Sequence, residues 1–262
     1  MFELITTYYS EKDDKRKKEL FQAIFNNCTN PLISNIRIIC ESGADEINQI
    51  DGKIDVISVN RRPTFKDLID VANNLNSDII KIIANTDIYF DKSLTLASKI
   101  TNDQVFCLTR WNQTMDGNIE FFPNFKSQDT WIFKSKLPTD IGEYFLGLPG
   151  CDNRFAFELT SKGFNVCNPS LSVRTIHLHN SNQRNYHKQL DRVPGLYAYV
   201  LPNKINDNSY QSKQLKYYYL LTRRKYYTAR FNNNLEGVSV SLFERLTSYL
   251  QVTYYRIRLK LI

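Results

Sequence analysis

The chain offers nothing from which to build a disulfide framework. Its five cysteines, Cys28, Cys40, Cys107, Cys151 and Cys167, are odd in number, widely spaced and free of any C-x-x-C pair. A cysteine-stapled scaffold and a cysteine zinc site are both excluded, and reduced, buried thiols are the expected state. No run approaches the roughly 20 apolar residues that a membrane-spanning helix requires. No early segment joins a basic start, an apolar stretch and a small-residue cleavage site, so a cytoplasmic protein is expected. Histidine is confined to His177, His179 and His187. Internal repeats and low-complexity blocks are absent too. What is present is a chain of 262 residues, 42% of them hydrophobic, enough to bury the core of one large domain and carry an accessory piece.

The net charge of +7 would suit a nucleic-acid reader if it were spread over a folded face. It is not. Residues 1–203 hold 23 Lys/Arg against 24 Asp/Glu, net −1, whereas residues 204–262 hold 11 against 3, net +8. A nearly neutral body with a basic, tyrosine-rich end points to an enzyme working near an anionic surface, and nucleic acid is not the expected partner.

Along the body, strands alternate with helices. Phe2–Tyr9 reads as a first strand ending in Thr6, Thr7 and Tyr8. Leu20, Phe21, Ile24 and Phe25 form one helical face, and the charged run Lys12–Glu19 reads as that helix's solvated first turns. Further strands are expected at Asn35–Glu41, Ile54–Val59, Gln104–Trp111 and Thr130–Lys134. Thr64 with Asp67 forms an approximate capping box over a stripe of Phe65, Leu68, Ile69 and Ala72. Asn112–Lys126 has turn residues and aromatics without a period and reads as a loop able to fold over a ligand. A helix over Arg154–Ser161 closes at Gly163. The order predicts a mainly parallel sheet covered on both faces.

The most telling segment is Asp78–Asp91, a β-branched run that breaks into Asn85-Thr86-Asp87. A buried strand there delivers Asp87 to a sheet edge, where open α/β sheets bind ligands and where a hard cation would find oxygen donors. An Asx turn using the same side chains on local backbone is the alternative. Other polar clusters at element ends are Asp152-Asn153 and His177-Leu178-His179-Asn180-Ser181. Residues 177 and 179 share one side of a strand, with Leu178 on the other.

Taken together, Ala84–Asp91, Ser127–Phe133, Pro149–Asn153 and Thr175–His179 resemble the motif series of GT-A-type glycosyltransferases of surface glycan and polysaccharide biosynthesis. The resemblance covers roughly residues 1–185. It implies a GT-A-like, Rossmann-like α/β fold; taken with the charge division, a catalytic domain over 1–203 and a helical extension over 204–262 are expected. It also implies transfer of a sugar from a nucleotide donor, UDP-linked by expectation, to a hydroxyl of a glycan or lipid-linked acceptor, with inversion.

In that family a D-x-D-like motif holds Mn²⁺ or Mg²⁺ against the donor diphosphate. Here it reads N-x-D, so Asp87 is the expected ligand and Asn85 a neutral oxygen or ribose contact. A late histidine often adds a ligand; His179, nearer the strand end, is preferred over His177, and a structural histidine is the alternative for either. Asp152 matches the general base of inverting members, although Asp152 or Asn153 would equally serve as a helix N-cap. Thr6, Thr7 and Tyr8 stand where the base is held, with Tyr8 able to stack on it. Arg62, with Arg61 and Lys66, could meet diphosphate or base. Asp129 and Trp131 fall on the acceptor side, Trp131 as a sugar platform or a core residue.

Residues 216–227, 242–250 and 254–262 mix basic, aromatic and aliphatic side chains. They suit either an amphipathic helix on anionic lipid, making the enzyme peripheral on a membrane's inner face, or a helical appendage packed on the domain or a self-association surface. Two rivals stay open: a nucleic-acid binder stacking bases on the tail's tyrosines, and a non-catalytic glycan binder of the same fold.

Overall fold

Strand β1 (Phe2–Tyr8), helix α1 (Asp14–Thr29), β2 (Ile33–Cys40), the short α2 (Ala44–Ile47), β3 (Ile54–Ser58), α3 (Phe65–Asn73) and β4 (Ile80–Ala84) open the chain in the alternation its sequence predicts. They are followed by β5 (Ile88–Phe90), a 3₁₀ helix (Lys92–Lys99), β6 (Gln104–Leu108), β7 (Trp111–Gln113), β8 (Ile119–Phe121) and β9 (Thr130–Phe133). Helix α4 (Cys151–Ser161), β10 (Asn165–Cys167), β11 (Thr175–Leu178) and α5 (Leu242–Lys260) complete it. This computed structural model describes residues 1–50, 52–114, 116–124, 126–178, 191–205, 228 and 242–260.

The main sheet has seven strands in the order β10-β6-β9-β4-β1-β2-β3. All run parallel except β9, which is antiparallel to both β4 and β6. The fold is thus mixed α/β with a mainly parallel sheet and helices, as expected. The central strands β4 and β9 are buried at every position because both faces of the sheet are covered there. Leu4, Ile38 and Ile82 pack in one core cluster with Leu20 and Ile24 of α1. Their neighbours Ile5, Ile39 and Ile83 enter the other cluster, with Phe65, Leu68, Trp131 and Phe155 from the α3 and α4 side.

Helix starts follow local chemistry. Asp13 caps α1 by accepting from the Arg16 amide at 2.8 Å, worth about 1 kcal/mol. Thr64 and Asp67 form the full capping box of α3. Gly150 precedes α4 with φ 80°, a conformation that favours glycine.

The reversal of β9 matters for the site. Thr130, its first residue, pairs with Ala84 at the end of β4 and Leu108 at the end of β6. The segment entering β9 therefore lies at the same sheet edge as the segments leaving β1, β4 and β6.

A second sheet, ordered β5-β11-β7-β8, stands beside that edge. It corrects the reading of Asn112–Lys126 as a loop: β7 and β8 form a hairpin, with Asn112 opposite Glu120. Strands of three residues are too short to carry a detectable period.

Candidate functional site

The ends of β1, β4 and β6, the entry to β9, and residues of α1, α4 and β11 converge at the carboxyl edge of the sheet, and Asp87 lies among them. Helix α1 fixes its position. Asn27 donates to the Ile88 carbonyl at 2.8 Å and accepts from the Phe90 amide at 3.2 Å, and Asn30 donates to the Phe90 carbonyl at 2.9 Å. The segment after the turn is thereby held as a strand against the helix. From the first turn of α1, Arg16 Nη2 donates to Asp87 Oδ2, while Arg16 Nη1 reaches Glu19 at 2.9 Å. From β11, His177 Nε2 lies 2.9 Å from the same Asp87 oxygen.

Burial by itself would raise the Asp87 pKa, but His177 and Arg16 hold it well below the usual carboxylate range. Asp87 Oδ1 is buried with no hydrogen-bond partner among the described residues.

Asp129 and Asp152 extend the cluster. Asn85 Nδ2 donates to Asp129 Oδ1 at 2.7 Å, and the Asn85 amide donates to the Asp129 carbonyl at 3.0 Å. Arg110 Nη1 is 3.7 Å from Asp129 Oδ2. Burial raises the Asp129 pKa against the pull of Arg110 and His177, and the Asp87 charge adds to the rise. Asp152 Oδ2 accepts from the Gln128 amide at 3.0 Å and Oδ1 from the Asn153 amide at 2.9 Å. Burial outweighs these donors, and the nearby Asp129 charge helps, so Asp152 is pushed up to about 7. Each of its oxygens keeps a second lone pair, and a carboxylate poised near neutrality suits proton transfer.

Asp152 is not the N-cap of α4. That position belongs to Gly150, and Asp152 is the helix's second residue. Asn153 spends its amide on Gln128 Oε1 at 3.2 Å.

Several expected site residues lie elsewhere. Tyr8 is 1% exposed, edge-on to Phe21, with its hydroxyl 2.6 Å from Glu46, and burial followed by Glu46 raises its pKa. It cannot stack on a base; the exposed aromatic at that strand end is Tyr9. Thr6 is buried and donates to the Ala84 carbonyl at 2.8 Å, tying β1 to the turn that carries Asp87. Thr7 is half-buried, and its carbonyl accepts from Thr86.

Trp131 is fully buried, its ring 4.8 Å from Phe65 and 5.8 Å from Phe155. It is a core residue and offers no sugar platform, because side chains of a central strand alternate between two covered faces. Arg62 donates to the Leu146 carbonyl at 3.0 Å and stacks on Phe145. Arg61 is engaged by Asp67 at 2.6 Å. His179 lies outside the described residues; the histidine on Asp87 is His177.

Sequence reasoning missed Arg16, Arg110 and Asn112. Arg16 sits in the run read as solvated, yet Arg16, Glu19, Leu20, Ala23, Ile24 and Asn27 keep helical spacing, so the buried stripe extends into polar residues. Asn112 is cross-strand from His177, and its Oδ1 is buried without a hydrogen-bond partner among the described residues. Buried polar atoms are rarely left unpaired. Asp87 and Asp129 lie close enough to feel each other's charge, and Asn112 is on the strand beside the His177 that contacts Asp87.

A divalent cation fits this donor set in part. The carboxylate oxygens of Asp87 and Asp129 that lack a hydrogen bond are hard donors, the Asp129 one already beside Arg110, and no group of three or more His, Cys, Asp or Glu that could hold a metal occurs among the described residues. Asp87 also spends Oδ2 on Arg16. An ion here would take most of its ligands from a bound phosphate and water, as Mg²⁺ commonly does.

No protein-family model matches the chain, and no curated protein matches it. Among solved structures it is similar to a mannosyltransferase of Pyrobaculum calidifontis in complex with GDP-Man and Mn²⁺, at 11% identity over 98% of this chain and 69% of that one, TM-score 0.44. It is also similar to a 4-diphosphocytidyl-2C-methyl-D-erythritol synthase of Anaerococcus prevotii, at 14% identity over 70% and 89%, TM-score 0.40. A third is the apo form of the glycosyltransferase GlyE of Streptococcus pneumoniae, at 10% identity over 63% and 44%, TM-score 0.38.

Proposed function

We propose that this protein is a glycosyltransferase that moves a sugar from a nucleotide donor to a hydroxyl of a glycan or lipid-linked acceptor. The observation that carries this reading is the convergence of Asp87, Asp129 and Asp152 at the carboxyl edge of a mainly parallel sheet, with a buried carboxylate oxygen on each of Asp87 and Asp129 lacking a hydrogen-bond partner among the described residues. The resemblance of the surrounding motifs to GT-A-type enzymes supports the donor class, with UDP as the nucleotide first to be tried.

In this reading Asp87 lies at the donor diphosphate, oriented by Arg16 and His177, and Arg110 faces the phosphates. Mg²⁺ or Mn²⁺, held by Asp87 Oδ1 and phosphate oxygens, would supply Lewis-acid stabilisation of the departing diphosphate. Thr7 and Tyr9, together with Asn85, contribute to nucleotide binding, and Asp129 orients Asn85. Asp152 takes the proton of the acceptor hydroxyl as that oxygen attacks the anomeric carbon, which leads to inversion. Asn112, beside His177, contacts a sugar hydroxyl. The enzyme works on the cytoplasmic side, at the face of an anionic membrane, through residues 204–262.

A screen of nucleotide sugars tests the class. At least one, with Mn²⁺ present, should raise the melting temperature by mass action and be slowly hydrolysed. A panel without a stabilising or hydrolysed donor would reject it.

A further inference from the structure

Of the ten large hydrophobic side chains left exposed among the described residues, five belong to α5: Leu246, Tyr249, Leu250, Tyr254 and Ile257, at 57, 52, 67, 50 and 55% exposure. Their spacing gathers them within about 140° of the helix circumference at 3.6 residues per turn. Val252, off that stripe, is 5% exposed, so the helix is buried at that side and solvent-exposed along the stripe. Single exposed apolar residues are ordinary, but a contiguous stripe marks an interaction surface.

We propose that this stripe of α5 is a membrane-docking surface that enters the headgroup layer of an anionic bilayer, with Leu250 and Ile257 at its centre. Charge decides between lipid and another protein. The segment 204–262 that contains α5 carries a net +8 on a body of net −1, and Arg256 is exposed next to the stripe. A second copy of the chain would bring one +8 segment against another, whereas an anionic surface complements it. No helix among the described residues is long and apolar enough to cross a membrane, so α5 lies along the interface, where apolar area and basic charge act together. Aromatic side chains such as Tyr249 and Tyr254 suit that boundary, with the ring in the acyl region and the hydroxyl in the headgroups.

The inference rests on the membrane placement proposed above and is independent of the donor chemistry, because lipid binding is read without turnover. Full-length protein is cosedimented with vesicles of phosphatidylcholine alone and with about one third phosphatidylglycerol, at low and high salt, with light scattering for mass. Wild type should bind the anionic vesicles and leave the neutral ones, and salt should weaken it. Leu250→Asp with Ile257→Asp, both at exposed positions, should lose about tenfold or more of the vesicle affinity at every salt concentration. Leu250→Ser alone should lose part of it. All variants should keep the wild-type melting temperature and donor binding.

Wild type that stays in the supernatant with anionic vesicles would overturn the proposal. So would aspartate variants that bind as wild type does, or a wild-type dimer that the aspartates dissociate without any change in lipid binding. Should the aspartate pair lower the melting temperature, Leu250→Ser decides the matter by the same vesicle measurement.

Discussion

His177 Nε2 lies 2.9 Å from Asp87 Oδ2, joining residues 90 positions apart in the chain. With Arg16 on the same oxygen, the carboxylate at the end of the β4 turn is held ionised and in one orientation, while its other oxygen is left without a hydrogen-bond partner among the described residues. A carboxylate meant only to close a turn would bond to local backbone amides, and none of the bonds to the Asp87 carboxylate is of that kind. This one is braced on one oxygen and keeps the other buried without a hydrogen-bond partner among the described residues.

Asp87→Asn should therefore abolish donor binding at working concentrations. It should also cost about 1–3 kcal/mol of stability, because Arg16 loses a charged acceptor in a mostly buried place. Calorimetry and thermal melting on one preparation measure both. Donor affinity equal to wild type would remove Asp87 from the site.

His177→Ala should weaken the donor less than Asp87→Asn does, since Arg16 still braces the carboxylate. Arg16→Gln together with His177→Ala should approach the Asp87→Asn affinity. Binding that ignores both braces would mean that the orientation of Asp87 does not matter.

Asp152→Asn should lower single-turnover transfer by roughly 10²–10⁴-fold with donor affinity retained. Its pH dependence carries a definite sign. Burial lifts Asp152 from 3.8 to about 7, so between those values the native protein holds a proton that the unfolded chain has released. The stability from this group is complete below about pH 4 and is lost as pH rises through about 7. Turnover needs the carboxylate, so it rises over the upper part of that range. The wild-type melting temperature should fall relative to Asp152→Asn between pH 5 and 8, while wild-type activity climbs and the variant's does not. A flat activity profile over that range would contradict the base assignment.

Trp131→Ala should cost about 3–5 kcal/mol through the cavity left between Phe65 and Phe155, whereas Trp131→Phe should fold with nearly wild-type donor affinity. A Trp131→Phe variant that melts normally but loses only acceptor binding would restore the sugar-platform reading.

The fold was legible because its strongest signals are local. The apolar runs of β1, β2 and β4 and the Thr64–Asp67 box all report burial or capping within a few residues. The position of Asp87 was legible for the same reason, since a long β-branched strand ends just before it. Arg16 and Asn112 were not legible. Arg16 becomes a site residue only through α1 packing against the Asp87 turn, and Asn112 only through three-residue pairing with β11. Tyr8 and Trp131 misled for the converse reason: an aromatic beside polar residues is drawn as readily into the core as toward a ligand, and only the register of its strand decides. Asp152 was found by its motif, but its support came from the Gln128 amide, supplied by the reversal of β9.

The most direct test is calorimetric titration of the stabilising nucleotide sugar, with Mn²⁺ present, into wild type, Asp87→Asn and Asp152→Asn. Wild type and Asp152→Asn should bind alike and Asp87→Asn should not bind. Retained binding by Asp87→Asn, or equal loss by Asp152→Asn, would contradict the assignment of donor binding to one carboxylate and proton transfer to the other.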